Sequence, residues 1–374
     1  MSDARVGILG GGQLAQMMAM AARAMDVGCR FYETSPDVPG AAVGEVITGS
    51  FEDRESLRRF AAGVDVVTYE WENVPVAAAR LLAETAPVHP SPRALEVAQD
   101  RLVEKDFLRD LGAASVAYAA VDGEDDLLRA IDAIGTPAIL KTRRLGYDGK
   151  GQMLIPAPVD AGAAWTQLGA SPLILEQYVA VDRELSIIAV RGADGSIVHY
   201  PLVENRHEAG ILRVSTAPAT NVAPAIVAQA RAHMDRLLAT LDYVGVLAIE
   251  MFDVGGTLLV NEMAPRVHNS GHWTIEGAAT SQFENHIRAI LGLPLGCSDA
   301  AGLSCMVNII GTLPRPESVL SIPDAHLHLY GKSPRSGRKL GHVTVRATTA
   351  DELERRRDAV IGVVAPELLS AAAR

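Results

Sequence analysis

The sequence predicts an α/β and α+β protein of two or three domains, and three observations carry that expectation. The chain, at 374 residues, is too long for one ordinary hydrophobic core. Its N-terminus reads as a strand, a glycine turn and an amphipathic helix, the opening unit of a parallel sheet. Residues 246–260 read instead as an antiparallel hairpin, two apolar β-rich runs flanking Gly255 and Gly256.

Composition narrows the function classes. The net charge of −11 argues against a nucleic-acid or anionic-membrane surface, yet local cationic sites can still hold phosphorylated substrates. Cys29, Cys297 and Cys305 are odd in number and lack Cys-x-x-Cys spacing, which indicates neither a disulfide framework nor a zinc site and fits a reducing cytoplasm. Asp3, the triple glycine and Gln13 interrupt the N-terminal apolar run, so it is not read as a signal peptide. No run approaches the roughly 18 apolar residues that span a bilayer.

Residues 5–9 form the first strand and run into Gly10, Gly11, Gly12 and Gln13. Leu14, Met17, Met18, Ala21 and Met25 then recur at helical spacing, a face for packing on a sheet. Residues 10–15 satisfy G-x-G-x-x-A, and Glu33 follows the next strand, 29–32, so a dinucleotide-binding fingerprint is one reading. The other is a close backbone approach, with the helix N-terminus offered to a phosphate or another polar group. Residues 64–69 are a buried strand ending in Glu70, Trp71, Glu72 and Asn73, where open α/β sheets bind ligands or where polar groups cap the helix that Pro75 begins. A Pro-rich break at 87–92 closes this first domain.

A helical segment over 93–111 carries Arg101 and Lys105, and a short strand at 138–141 ends in Lys141. The following TRRLGYDGKGQ matches no Walker spacing; Gly146, Gly149 and Gly151 with Lys150 suggest a glycine-rich flap over phosphates, or else a plain hairpin turn. Residues 173–179 read as a strand holding Glu176, and Glu184 opens the strand 185–190. A strand over 196–204 is followed by a loop with Asn205, Arg206 and His207, and 221–242 is an amphipathic helix.

If the turn of the central hairpin centres on its two glycines, Glu250 lies opposite Asn261 or Glu262, with Cβ atoms roughly 5 Å apart. Like charges at that separation want a cation between them, and two carboxylates beside an Asn amide oxygen suit Mg²⁺. Solvated glutamates on a surface hairpin are the plain alternative. The next run, MAPRVHNSGHWT, brings together Arg266, His268, Asn269, Ser270, His272 and Trp273, dense in donors for a small anion and poor in anything that builds a core. After a helix near 283–291 and a strand at 303–310, Lys332, Arg335, Arg338 and Lys339 crowd a loop that is either solvated or a phosphate pocket; 351–357 is a charged terminal helix.

The run NEMAPRVHNSGHWT resembles the signature of the 5-(carboxyamino)imidazole ribonucleotide synthases, and the resemblance extends from the glycine turn to the basic loop. It implies an ATP-grasp fold: a Rossmann-like (pre-ATP-grasp) domain at 1–100, a small lobe at 101–185, and a large lobe at 186–374 with a C-terminal β-rich subdomain from about 300. It implies ATP, one or two Mg²⁺ ions, bicarbonate and 5-aminoimidazole ribonucleotide as ligands, carboxyphosphate as intermediate, and a cytoplasmic homodimer that binds neither nucleic acid nor membrane. By the same resemblance, Arg101, Lys141, the flap residues Gly146, Tyr147, Asp148, Gly149, Lys150, Gly151 and Gln152, and also Asn261 and Glu262, hold ATP. Glu176 and Val179 take its adenine, Glu184 its ribose, and His207 also meets the nucleotide. Glu250 and Glu262 are the metal ligands. Arg266, His268 and Asn269 cradle bicarbonate and carboxyphosphate, and Asp148 orients the substrate amine. Gln13, Leu14, Glu70, Asn73 and Ser270 meet the ribonucleotide, whose phosphate falls to Lys332 and Arg338, with Arg335 and Lys339 as alternatives. Two other readings stand beside this one. A different ATP-grasp ligase would share Glu250, Glu262 and the flap, and an NAD-dependent oxidoreductase or nucleotide sensor would use the first fingerprint and leave the hairpin carboxylates unexplained.

Overall fold

The computed structural model describes residues 4–146, 149–169 and 172–371. The N-terminal sheet is parallel, in the order Glu45–Thr48, Gly28–Glu33, Arg5–Leu9, Val66–Tyr69. The strands Arg5–Leu9 and Val66–Tyr69 are mostly apolar and buried among helices, as parallel strands require. One of these, Gln13–Ala24, buries Leu14, Met17 and Met18, the stripe read from the sequence.

A second, antiparallel sheet orders Tyr118–Val121, Leu173–Gln177, Ala138–Thr142 and Gln152–Ile155, with Glu124–Ile134 and Ala161–Leu168 covering its apolar face. The third sheet has nine strands. Its path runs Thr257–Ala264, Gly245–Val254, Arg183–Arg191, Val203–Glu208, Ile211–Ala217, Leu303–Ile310, Lys339–Ala347, Ala325–Leu329, and Ile197–His199 pairs alongside Arg183–Arg191. The helices Pro224–Thr240 and Arg101–Asp110 pack on one face of it and Gln282–Ile290 on the other. Gln282–Ile290 also meets Gln13–Ala24, so one continuous core joins the parallel sheet to the large one and holds their edges in fixed relation.

Three element expectations need correction. The segment 93–111 is two helices, Pro92–Ala98 and Arg101–Asp110, because Asp100 caps the second by accepting from the Leu102 amide at 3.1 Å while Arg143 grips its other side at 2.8 and 2.9 Å. The segment 196–204 is not one strand: Ile197–His199 ends before Tyr200, which is buried, and a new strand, Val203–Glu208, begins after it. His207 therefore lies in a strand and not a loop, just past a β-bulge between Arg206 and His207. The run at 266–273 is also less polar in role than in composition, since Trp273 and Val267 are wholly buried and the buried His272 packs between Phe283 and His342.

Candidate active site

The hairpin is the centre of the site. The two strands pair Val254 with Thr257 and Glu250 with Glu262, and a bulge after Glu250 leaves Asn261 as the extra residue. Of the two partners the sequence left open for Glu250, the bulge selects Glu262 and tucks Asn261 beside it. Burial first, and then the facing Glu262, push the Glu250 carboxyl up to about 7. Burial acts on Glu262 too, but the Arg101 guanidinium, 2.7 Å away, outweighs it and holds that carboxyl below the ordinary range. Asn261 Oδ1 is buried with no hydrogen-bond partner among the described residues. An oxygen so placed beside two half-buried carboxylates fits a hard divalent cation. Among the described residues no group of three His, Cys, Asp or Glu side chains is arranged for a metal, so a cation held here would take most of its ligands from water or phosphate.

Behind the carboxylates sits a charged layer of which sequence reasoning named Lys105, Lys141 and Glu176 but missed Glu104. Glu104, on the helix Arg101–Asp110, accepts from the Met263 amide at 2.6 Å, and burial followed by repulsion from Glu262 pushes it up to about 8. Lys105 donates to the Asn261 carbonyl at 3.3 Å and pairs with Glu176 at 3.5 Å; Lys141 meets the same Glu176 oxygen at 2.8 Å. The other Glu176 oxygen is buried without a partner among the described residues, at the end of the strand Leu173–Gln177, and Val179 lies just past it, half-buried. Across the gap, Glu184 contacts His207 Nδ1; burial lowers that imidazole, but the carboxylate outweighs it and raises its pKa above the ordinary value. Flap residues Gly146 and Gly149 to Gln152 join the strands Ala138–Thr142 and Gln152–Ile155. Gly149 reaches the turn at Ala209 and Gly210 so closely that a Cβ on Gly149 would lie 2.3 Å from the Ala209 carbonyl, and one on Gly210 2.5 Å from Gly149 Cα. Tyr147 and Asp148 lie outside the described residues.

The donor loop is held from three sides. Arg266 Nε pairs with Glu72 at 2.5 Å, and although burial alone would raise Glu72, the guanidinium brings its carboxyl down to about 2. Asn269 and Asn308 exchange amide hydrogen bonds at 3.1 and 2.8 Å, tying the loop to the strand Leu303–Ile310. His268 points Nε2 at Glu250, 3.3 Å away, and burial, then Arg266, drop its pKa to about 3, a neutral ring. Ser270 is fully buried beneath it. Asn308 was detectable as a lone amide in an apolar strand. Glu104 had no such signal, and Glu72, although it stood in the polar run after residues 64–69, gave no sign of its pairing with the remote Arg266.

At the parallel sheet, Glu70 turns back over the glycine turn: its carboxylate accepts from the Gly12 amide and from the Ala15 amide at 3.0 Å. A Cβ on Gly12 would stand 2.5 Å from Glu70 Oε1 and one on Gly10 2.5 Å from its Cγ. The glycines thus admit a carboxylate of the chain itself at the helix N-terminus, which accounts for the fingerprint without a dinucleotide. Gln13 contacts Lys332 from the basic loop, Leu14 is buried and Asn73 half-buried. Arg338 is half-buried and donates to the Ser333 carbonyl at 3.2 Å, whereas Arg335 is exposed and Lys339 starts the strand Lys339–Ala347.

Family models match the chain in three consecutive stretches: a ribonucleotide synthetase preATP-grasp domain over residues 3–99, an ATP-grasp domain over 106–283, and a phosphoribosylaminoimidazole carboxylase C-terminal domain over 304–356. The N5-carboxyaminoimidazole ribonucleotide synthase of Pseudomonas aeruginosa is 47% identical over 352 residues, 94% of this chain and 97% of that one. The crystal structure of N5-carboxyaminoimidazole ribonucleotide synthetase from Thermus thermophilus superposes with a TM-score of 0.93 at 51% identity, covering 96% of this chain and 98% of that one. The N5-carboxyaminoimidazole synthase of Aspergillus clavatus in complex with ADP and 5-aminoimidazole ribonucleotide gives 0.90 at 34%, covering 97% and 99%.

Proposed function

Since the chain belongs to the N5-carboxyaminoimidazole ribonucleotide synthases, ATP-grasp ligases of purine biosynthesis, we propose that it carboxylates the amine of 5-aminoimidazole ribonucleotide with bicarbonate, spending ATP through carboxyphosphate. A bicarbonate oxygen attacks the γ-phosphorus and ADP leaves. The exocyclic amine then attacks the carboxyl carbon, phosphate leaves with the C–O electron pair, and the amine loses a proton. The observation that carries this reading is the bulged hairpin, which sets opposed carboxylates and an unpaired amide oxygen beside a loop of anion donors.

Phosphoryl transfer asks mainly for positioning and for neutralisation of developing charge. Glu250, Glu262 and Asn261 Oδ1 would hold Mg²⁺, which would supply positive charge for phosphoryl transfer. Arg101, Lys141 and Lys150 add positive charge, with the amides of Gly146, Gly149 and Gly151 and the Gln152 side chain lining the phosphates. Glu176 and Val179 take the adenine edge, Glu184 the ribose, and His207 steadies Glu184. Arg266, His268 and Asn269 keep the anionic intermediate from water, as its short lifetime demands. Gln13, Leu14, Glu70, Asn73 and Ser270 meet the ribonucleotide, Lys332 and Arg338 its phosphate, and Asp148 orients the amine. The test is ADP release with Mg²⁺ and ATP, omitting in turn bicarbonate and the ribonucleotide. Release that requires the ribonucleotide, with label from bicarbonate in an acid-labile product, is expected; turnover indifferent to the ribonucleotide overturns the substrate assignment.

A further inference from the structure

The face of the large sheet that carries Glu262 and Glu250 continues as a polar row across three more strands. Glu250 pairs in register with Ser186, Ser186 with Val203, and Asn205, two residues on and on the same face, with Ser215. Every member of this extension is buried, Ser186, Ser215 and Ser270 completely and Asn205 at 7% exposure. Isolated hydroxyls and an amide inside apolar strands are costly unless paired, and these are paired with one another and with His268.

The links form one unbroken chain. Ser215 Oγ donates to Asn205 Oδ1 at 2.7 Å, Asn205 Nδ2 donates to Ser186 Oγ at 2.9 Å, and Ser186 Oγ donates to Ser270 Oγ at 2.8 Å. Ser270 Oγ stands 2.9 Å from His268 Nδ1. Direction is imposed at both ends. An amide NH₂ can only donate, so Ser186 must pass its own proton onward. At the ring, the Ser270 backbone N–H also points at Nδ1, 3.3 Å away, and it too can only donate. Nδ1 is therefore an acceptor twice over, and the imidazole proton resides on Nε2, which faces Glu250 Oε1 at 3.3 Å.

We propose that Ser215, Asn205, Ser186 and Ser270 form a buried proton-direction relay that locks His268 in the Nε2–H tautomer, making Asn205 and Ser186 positioning residues for the reaction. This inference rests on the role given above to His268. With the relay intact, the ring offers a donor to an oxygen of the bound anion; with the opposite tautomer it would offer a lone pair to the same oxygen and repel it. Asn205 does not touch the reacting atoms. It acts through two hydroxyls, as outer partners of catalytic histidines do.

The experiment uses the full chain labelled with ¹⁵N-histidine, whose two-bond ¹H–¹⁵N correlations distinguish Nε2–H from Nδ1–H rings. His268 in the wild type is expected as Nε2–H; an Nδ1–H ring there overturns the proposal before any variant is made. Asn205→Asp keeps the shape but presents an acceptor to Ser186, reversing each hydroxyl in turn. At pH 8 it should create an Nδ1–H population and lower kcat about tenfold with KM for ATP unchanged. In a Ser186→Ala background the same Asn205→Asp change should shift neither tautomer nor kcat further, since the relay is already cut. A wild-type tautomer and rate in Asn205→Asp, or an equal effect with and without Ser186, overturns the relay. The tautomer needs no substrate, so a wild type that fails to carboxylate sinks the functional reading while the relay is judged by its own signal.

Discussion

Two regions of this chain bury carboxylates near the backbone of a second segment, and they end in opposite electrostatic states. At the N-terminal turn, Glu70 is satisfied by two backbone amides at the mouth of the helix Gln13–Ala24. At the central hairpin, Glu250 faces Glu262 with an amide oxygen alongside that has no partner among the described residues, and Arg101 and His268 approach the two carboxylates. The first carboxylate already has the chain's own amides as donors, whereas the second pair is left short of positive charge. What separates them is whether the negative charge already has its donors.

The comparison breaks first at Glu262. Glu262→Gln should lower ATP turnover by on the order of 10²- to 10³-fold while the melting temperature stays within a few degrees; near-normal turnover would remove the hairpin from the chemistry. Arg266→Ala comes next. It strips Glu72 of its partner and opens the anion loop, so carboxylated product per ADP released should fall about tenfold, and stability by about 2–3 kcal/mol in urea titration. At the N-terminal turn the effect should be on stability and on one substrate only. Gly12→Ala pushes Glu70 off the helix N-terminus, costing about 1–2 kcal/mol and raising KM for the ribonucleotide severalfold without changing KM for ATP. A raised KM for ATP there would mean that the two regions are not separate.

The smallest effect sharpens the hairpin's shortage of positive charge. A carboxyl whose pKa is raised in the fold contributes stability that is fully present below its unfolded value, near 4.3, and is lost as pH rises through the folded value. For Glu104 that value is about 8. The ligand-free protein should therefore lose roughly 2 kcal/mol from this group between pH 6 and 8. In Glu104→Gln the melting temperature should vary less over that window by a few degrees; an unchanged pH profile would mean that Glu104 is not held protonated.

Much of this was readable from residues alone where a local rule applied. The glycine pair and the count of residues on either side brought Glu250 opposite position 261 or 262, and the methionine stripe at 14–25 gave the buried face of the first helix. The bulge that decides between 261 and 262 was not readable, because it depends on Lys105 and Glu104 reaching the second strand from another helix. Charged residues on a helix look solvated until their tertiary neighbours are known, and Glu104 is 2% exposed. Arg266 and Glu72 are 194 positions apart, beyond any periodicity. Trp273 and His272 were misjudged for the converse reason: a loop dense in donors looked wholly polar, and the helix and C-terminal strand that bury it carry no mark in that segment.

The meeting of Gly149 with Gly210 has a mechanical meaning. Two backbones, one from the flap and one from the large sheet, touch where any side chain would intervene. The stopping distance of one part against the other is thus written as the absence of two methyl groups, 61 residues apart in the chain. A graded series at position 210, from alanine upward, would act as a set of shims, each widening the separation of the two backbones at this contact. The chain carries its own gauge for how near these two segments come.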